Sequence, residues 1–266
     1  MILMPSFHRC SQSAVSIMVI IIVVFQQSCS AKHGQSCVPS SCGNIGNISY
    51  PFRLKGDSRG CGLRRYELDC VNNVTLFTLF SGKYHVLDIN YTGYQIQLTD
   101  AGVVEDTACS IPRNFLNQRS LSFYDGDDRL TLEENISSTV FLNCTNPVTD
   151  DPRYVDVNGG GCDSGGNIYA VLNRNREFTF TDIKAGCRLK AATFANWTHG
   201  RNVSYADIRK WLHDGFRMSW LSTVACRDLC GSDFSLCSLN ETTGQVQCEA
   251  LNLCYIFEDI RVNCGN

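Results

Sequence analysis

The sequence predicts a mainly β, disulfide-rich protein of two small domains, the second carrying a short α-helix. Three observations lead there. The 266 residues include 16 cysteines, a density that in an exported chain reads as a disulfide framework. Apolar and polar residues alternate with period two across short glycine turns between Thr75 and Thr99, as in an antiparallel meander. One helix-start signature, Ser204-Tyr205-Ala206-Asp207, stands in the carboxy-terminal half.

Export is read from the amino terminus. His8 and Arg9 precede an apolar run from Ala14 to Phe25, and small residues follow at Cys29-Ser30-Ala31. This is the plan of a secretory signal peptide, with cleavage expected near Ala31. The run is shorter than the ~20 residues that span a bilayer, and no second run of that length follows, so the mature chain is expected to be soluble. Cleavage removes Cys10 and Cys29 and leaves Cys37, Cys42, Cys61, Cys70, Cys109, Cys144, Cys162, Cys187, Cys226, Cys230, Cys237, Cys248, Cys254 and Cys264. Cys226-x3-Cys230 resembles half a zinc finger, but exported cysteines are ordinarily oxidised, so no metal or other cofactor is expected. Sequons at Asn47, Asn73, Asn90, Asn135, Asn143, Asn196, Asn202 and Asn240 predict a glycoprotein with those side chains on the surface.

Six of the cysteines lie between Cys37 and Cys144 and eight between Cys162 and Cys264, so each group can pair internally. Proline, aspartate and glycine punctuate the stretch between them. We therefore expect a first domain at 32–148 with its core at 37–109, a linker at 149–161 and a cysteine-rich second domain at 162–266.

In the first domain, strands are expected at Thr75–Phe80, Lys83–Tyr91 and Tyr94–Thr99. The second of these sends His85, Leu87, Ile89 and Tyr91 to one face and Tyr84 and Val86 to the other. Ser120–Tyr124, Leu130–Leu132 and Thr139–Cys144 are further strand candidates. In the second domain, Tyr169–Leu172, Phe178–Phe180 and Cys187–Thr193 are short strands. Ser204 and Asp207 cap a helix whose buried face is Ile208, Trp211 and Leu212, and Gly215 ends it. Phe216, Met218 and Trp220 then alternate as in a strand.

The segment Ser41-Cys42-Gly43-Asn44-Ile45, Asn47-Ile48-Ser49-Tyr50-Pro51-Phe52-Arg53-Leu54, Cys61-Gly62, Tyr66-Glu67-Leu68-Asp69-Cys70, Ser81-Gly82-Lys83-Tyr84-His85-Val86 and Gln97-Leu98-Thr99-Asp100 resembles the galacturonan-binding module of plant wall-associated and leaf-rust-type receptor-like kinases. Asn202 to Ile208, Gly215-Phe216, Ser219-Trp220 and the cysteines from Cys226 to Cys254 are similar to the carboxy-terminal module of the same receptors. The resemblance is looser from Ala101 to Tyr154, and the tail lacks the close cysteine pair of an EGF module. In such receptors a membrane helix and a cytoplasmic kinase follow. This sequence ends at Cys264-Gly265-Asn266, about where that helix would begin. Hence no kinase chemistry is expected on it, and two readings stay open: a secreted relative in the cell wall, or the head of a receptor held at the plasma membrane.

The resemblance implies non-catalytic binding of pectin. Charge agrees with it. Residues 32–100 hold seven basic and five acidic side chains, whereas 101–266 hold fifteen and twenty-one. Arg53, Lys55, Arg59, Arg64 and Arg65 face only Asp57 in their stretch. Guanidinium forks pair with carboxylates such as those of a polyuronate, and aromatic faces at Tyr50, Phe52, Tyr84 and Tyr94 can pack on sugar rings. We therefore expect Arg53, Lys55, Arg59, Arg64, Arg65, Tyr50 and Tyr84 to contact polysaccharide. The plainer alternative is that the tyrosines and Phe52 fill the core and the cations form a solvated face. A second function class is recognition of a protein or peptide ligand or a co-receptor in defence signalling, on a surface carrying Trp197, Trp211 and Trp220. The net charge of −3 argues against a nucleic-acid partner.

Enzymatic readings are weaker. Gly161-Cys162-Asp163-Ser164-Gly165-Gly166 echoes a serine-protease loop, yet His33, His85, His199 and His213 stand in no protease-like context. The carboxylates Asp125, Asp127, Asp128, Glu133 and Glu134 sit among turn residues without an apolar wall.

Overall fold

The computed structural model describes residues 36–103, 110–116, 130–132, 136–158, 165–172, 180–196, 203–231, 236–240, 242–249, 253–257 and 260–263. The chain divides into Met1–Val38 and Pro39–Asn266. The expected signal peptide, Ser120–Tyr124, Phe178 and Thr179 lie outside the described residues. Phe180, expected to end a strand, instead opens a 3₁₀ turn at Phe180–Asp182. Among the described residues strands dominate, as expected, with two short helices.

The first strands are a small antiparallel pair, β1 (Ser40–Cys42) and β2 (Ile45–Ile48). Next come β3 (Arg53–Leu54), β4 (Glu67–Val71), β5 (Val74–Leu79), β6 (Gly82–Asn90) and β7 (Gln95–Asp100). Beyond them are β8 (Thr131–Leu132), β9 (Ser137–Cys144), β10 (Tyr154–Asp156), β11 (Asn167–Leu172) and β12 (Cys187–Ala195). Helix α1 (Tyr205–Asp214), β13 (Phe216–Ser219) and helix α2 (Cys226–Cys230) follow. Two antiparallel pairs, β14 (Leu236–Leu239) with β15 (Val246–Glu249) and β16 (Leu253–Phe257) with β17 (Ile260–Asn263), close the order. None of the described helices is long and apolar enough to cross a membrane.

The meander β5–β7 is where the alternation put it, with one change of phase, and β4 extends it as a strand the alternation did not mark. Tyr84 and Val86 are buried, as one face. At Val86/Asp88 the pairing with β7 shifts by a bulge. An extra residue inverts the two-residue period beyond it. Ile89 and Tyr91 therefore reach the same core, while Leu87 stays exposed.

The two expected domains are not separate. The main sheet runs in the order β3-β4-β5-β6-β7-β13-β8, so β13, from the far side of the expected linker, pairs with β7. In the second sheet, β10-β11-β9-β12, strand β9 of the first half lies between β11 and β12 of the second. The expected linker 149–161 itself contains β10 and the fully buried Val157. Polar composition and even cysteine counts are local signals, and neither reports which strands exchange partners. The cysteines show the same thing: Cys42–Cys70 closes within the first half, but Cys144–Cys187 joins directly opposed residues of β9 and β12 across the expected boundary.

The core that results mixes both halves. Phe52, Leu68, Phe77, Ile96 and Leu98 share it with Phe194, Phe216, Met218 and Trp220. Phe52 meets Trp220 edge-on at 4.9 Å between ring centroids, and Tyr66 and Phe77 at 5.5 and 6.2 Å. Tyr91 and Tyr94 also meet Trp220 edge-on. Such rings add aromatic-pair energy to burial of large apolar area.

Helix α1 forms as its sequence predicts. The Ser204 oxygen accepts from the Asp207 amide, and the Asp207 carboxylate accepts from the Ser204 amide. Ile208 and Leu212 are buried and Trp211 is half-buried. At Gly215 the backbone takes φ 71°, its amide donates to Trp211, and an added Cβ would lie 2.2 Å from the Leu98 carbonyl oxygen. Only glycine fits there. The helix is moored to β7 by Thr99, whose hydroxyl donates to the Leu212 carbonyl at 2.7 Å.

The loop after β7 is held by one buried carboxylate. Asp100 accepts from the amides of Gly102, Arg113 and Asn114 at 2.7, 2.9 and 3.0 Å. Asp100→Ala would strand these donors and is expected to destabilise the fold by about 3 kcal/mol. Trp220→Ala is expected to cost about 4 kcal/mol by opening a cavity beneath Phe52. Urea unfolding without reductant measures both; an unchanged midpoint for Trp220→Ala would contradict a core shared between the halves.

Candidate functional site

The basic stretch between Tyr50 and Tyr66 covers the aromatic core. Phe52 is its underside, fully buried. The Pro51 carbonyl accepts from the Leu63 amide at 2.9 Å, folding the segment back on itself. Gly62 permits that return, since a Cβ there would meet the Phe52 carbonyl oxygen at 2.7 Å. Single 3₁₀ turns at Arg59–Cys61 and Arg64–Tyr66 carry the chain on to β4.

The structure sorts the expected contact residues into two groups. Arg53 is 6% exposed and forms an ion pair with Glu67 directly opposite it on β4. It also donates to the Asp57 carbonyl at 3.2 Å. Asp57 in turn accepts from the Leu54 amide at 2.8 Å and from Ser40 Oγ at 2.7 Å. Arg53 thus braces the segment from inside. Tyr84, 1% exposed, packs edge-on against Phe216 in the core, where burial pushes its phenol upward. Phe52 and Tyr84 are therefore core rings, and Tyr94 is partly covered against Trp220.

The remaining residues are at the surface. Lys55, Arg59, Arg64 and Arg65 are all exposed. Lys55 reaches the Asp69 carboxylate, which holds its ammonium above the ordinary lysine value. Tyr50 is 46% exposed. Its hydroxyl donates to Asp228 Oδ2 at 2.7 Å, and its phenol is pushed up to about 12, first by partial burial and then by that carboxylate. The residue before it is fixed, because Tyr91 Oη accepts from the amide of Ser49 and donates to its carbonyl.

Sequence reasoning missed the partner of Tyr50. Asp228 lies 178 residues away, and no local signal connects the two. Tyr66, at the end of the basic stretch, likewise meets Thr223 at 3.1 Å. The Trp220 expected on a protein-recognition surface is instead 2% exposed; Trp197 lies outside the described residues.

Other expected sites can be placed. Cys226 and Cys230, the half-finger pair, are bridged to Cys237 and Cys248. Cys37 and Cys61 are also disulfide-bonded, whereas Cys109, Cys162 and Cys264 lie outside the described residues, as does the side chain of Cys254. Among the sequons, Asn47, Asn73, Asn90, Asn143 and Asn196 are exposed and Asn240 is half-buried. Asn135 and Asn202 are outside the described residues, as are Ser164, His33 and His199, the carboxylates Asp125, Asp127 and Asp128, and Glu133 and Glu134. His85 is half-buried on β6, and burial lowers its imidazole.

Residues 37–100 match the wall-associated receptor kinase galacturonan-binding family. That match spans β1 through β7 and ends at Asp100. Over 223 residues the chain is 26% identical to the Arabidopsis thaliana leaf rust 10 disease-resistance locus receptor-like protein kinase-like 2.1, covering 80% of this chain and 33% of the relative. Over 211 residues it is 30% identical to the kinase-like 1.2 protein of the same series and organism, covering 75% and 31%. The chain thus spans about a third of the length of these relatives. No solved structure matches.

The Tyr50–Asp228 bond is half in water, so its net worth is small. A double-mutant cycle of Tyr50→Phe and Asp228→Ala is expected to give a coupling of about 0.5 kcal/mol in unfolding free energy. Additivity of the two substitutions would show the bond to be idle in solution.

Proposed function

We propose that this chain, which carries a wall-associated receptor kinase galacturonan-binding domain and is homologous to leaf-rust-type receptor-like kinases, binds acidic cell-wall polysaccharide outside the cell without chemical turnover. The observation that supports this most directly is the placement of Lys55, Arg59, Arg64 and Arg65. All four are exposed, and all stand on one short segment held by buried Phe52 and by the Arg53–Glu67 pair. De-esterified pectin presents a carboxylate on each sugar. Several cations on one held segment meet such a polymer with several contacts at once. Each exposed pair contributes little, ~0.2–1 kcal/mol, but contacts on one chain combine as avidity.

Recognition of a protein ligand has less support, because Trp220 is enclosed in the core.

The combined variant Lys55→Gln/Arg59→Gln/Arg64→Gln/Arg65→Gln is expected to lose about 30-fold in affinity for polygalacturonate, from roughly 2 kcal/mol of summed contacts. Wild-type retention on de-esterified pectin should fall sharply between low and high salt. Equal retention at both, or wild-type affinity in the variant, would refute charge-based binding. Release of shorter fragments from pectin incubated with the protein would refute the non-catalytic assignment.

A further inference from the structure

Helix α2 and the turn before it reach the basic segment from the other end of the chain. Tyr50 Oη donates to Asp228 at the start of that segment, and Tyr66, directly after Arg64 and Arg65, meets Thr223 at its end. The Arg227 guanidinium donates to the carbonyl of the same Thr223, and its charge acts on the Tyr50 phenol, as does Tyr66. Arg227, Asp228 and Leu229 are exposed. An additional cation thus stands beside the two tyrosines that bracket the row of basic residues.

A helix of five residues does not persist alone. Here α2 is tied at both ends, by Cys226–Cys237 and Cys230–Cys248, and Gly231 closes it in the left-handed region at φ 73°. Arg227 is therefore carried on a fixed support. Of the aromatic residues considered for sugar contact, Tyr50 is the well exposed one, and its hydroxyl is held by Asp228. A ring already held in position loses little freedom when a sugar face packs on it.

We propose that the polysaccharide surface is composite: Arg227 is a contact residue alongside Arg64 and Arg65, and Asp228 is a positioning residue that sets the Tyr50 ring. This rests on the galacturonan-binding function proposed above and extends the surface beyond the matched residues 37–100. The negative charge of Asp228 does not oppose the polyanion alone, since Arg227 neighbours it and the Tyr50 hydroxyl bonds to it.

The test uses the whole secreted, oxidised chain with polygalacturonate as the probe, and dissociation constants at two salt concentrations. Arg227→Gln is expected to weaken binding about threefold and to make its salt dependence shallower, whereas Arg227→Lys keeps both. Asp228→Ala and Tyr50→Phe each weaken binding, while Asp228→Asn, which still accepts from the phenol, retains it. Unchanged thermal midpoints establish that the variants are folded. The composite surface is overturned if Arg227→Gln binds as wild type while the four-residue variant does not, or if Arg227→Lys loses as much as Arg227→Gln. The positioning role is overturned if Asp228→Ala binds as wild type or Asp228→Asn loses as much as Asp228→Ala. Absence of wild-type binding at any salt would instead remove the polysaccharide function itself, and this surface with it.

Discussion

The edge-on contact between the Trp220 indole and the Phe52 ring, 4.9 Å between centroids, holds the two halves of this chain together. Phe52 is the buried floor of the basic segment. Trp220 follows β13, which lies in the main sheet beside β7. Because the two rings exclude water together, the segment from Tyr50 to Tyr66 has a rigid base and can display charge above it. Without the indole, Phe52 would face a void, and the segment would lose the packing that fixes its path.

The ion pair of Arg53 with Glu67 completes that base. A buried guanidinium without a carboxylate is costly, so this arginine is committed to the fold. Its neighbours in sequence carry the same charge on the outside, where water screens them and a polyanion can reach them. The division of one basic run into a structural arginine and four surface cations follows from pairing in the sheet, since Arg53 lies opposite Glu67. Charge type alone could not make that distinction.

The proposed binding function accords with this construction. A repeating polymer needs a row of modest contacts held at constant spacing, and a shaped cavity is unnecessary. Rigidity comes from the aromatic core, from the Asp57 bonds to Leu54 and Ser40, and from the bridges around α2. The carboxy-terminal half therefore supports the domain matched by residues 37–100, and supplies β13 to its sheet.

Much was legible in the residues themselves. The meander, the capping box at Ser204 and Asp207, the stop at Gly215 and the buried alternation of Phe216, Met218 and Trp220 all depend on neighbours within a few positions, where periodicity and turn chemistry act. The cysteine count and the motif spacing pointed to a bridged extracellular module for the same reason. The three-dimensional arrangement alone decided the rest. It placed β13 in the first sheet and β9 in the second, and drew Arg53 and Tyr84 inward. It also brought Asp228 to Tyr50. These depend on which distant element covers a given face, and a one-dimensional pattern records that a face is apolar without recording what will cover it.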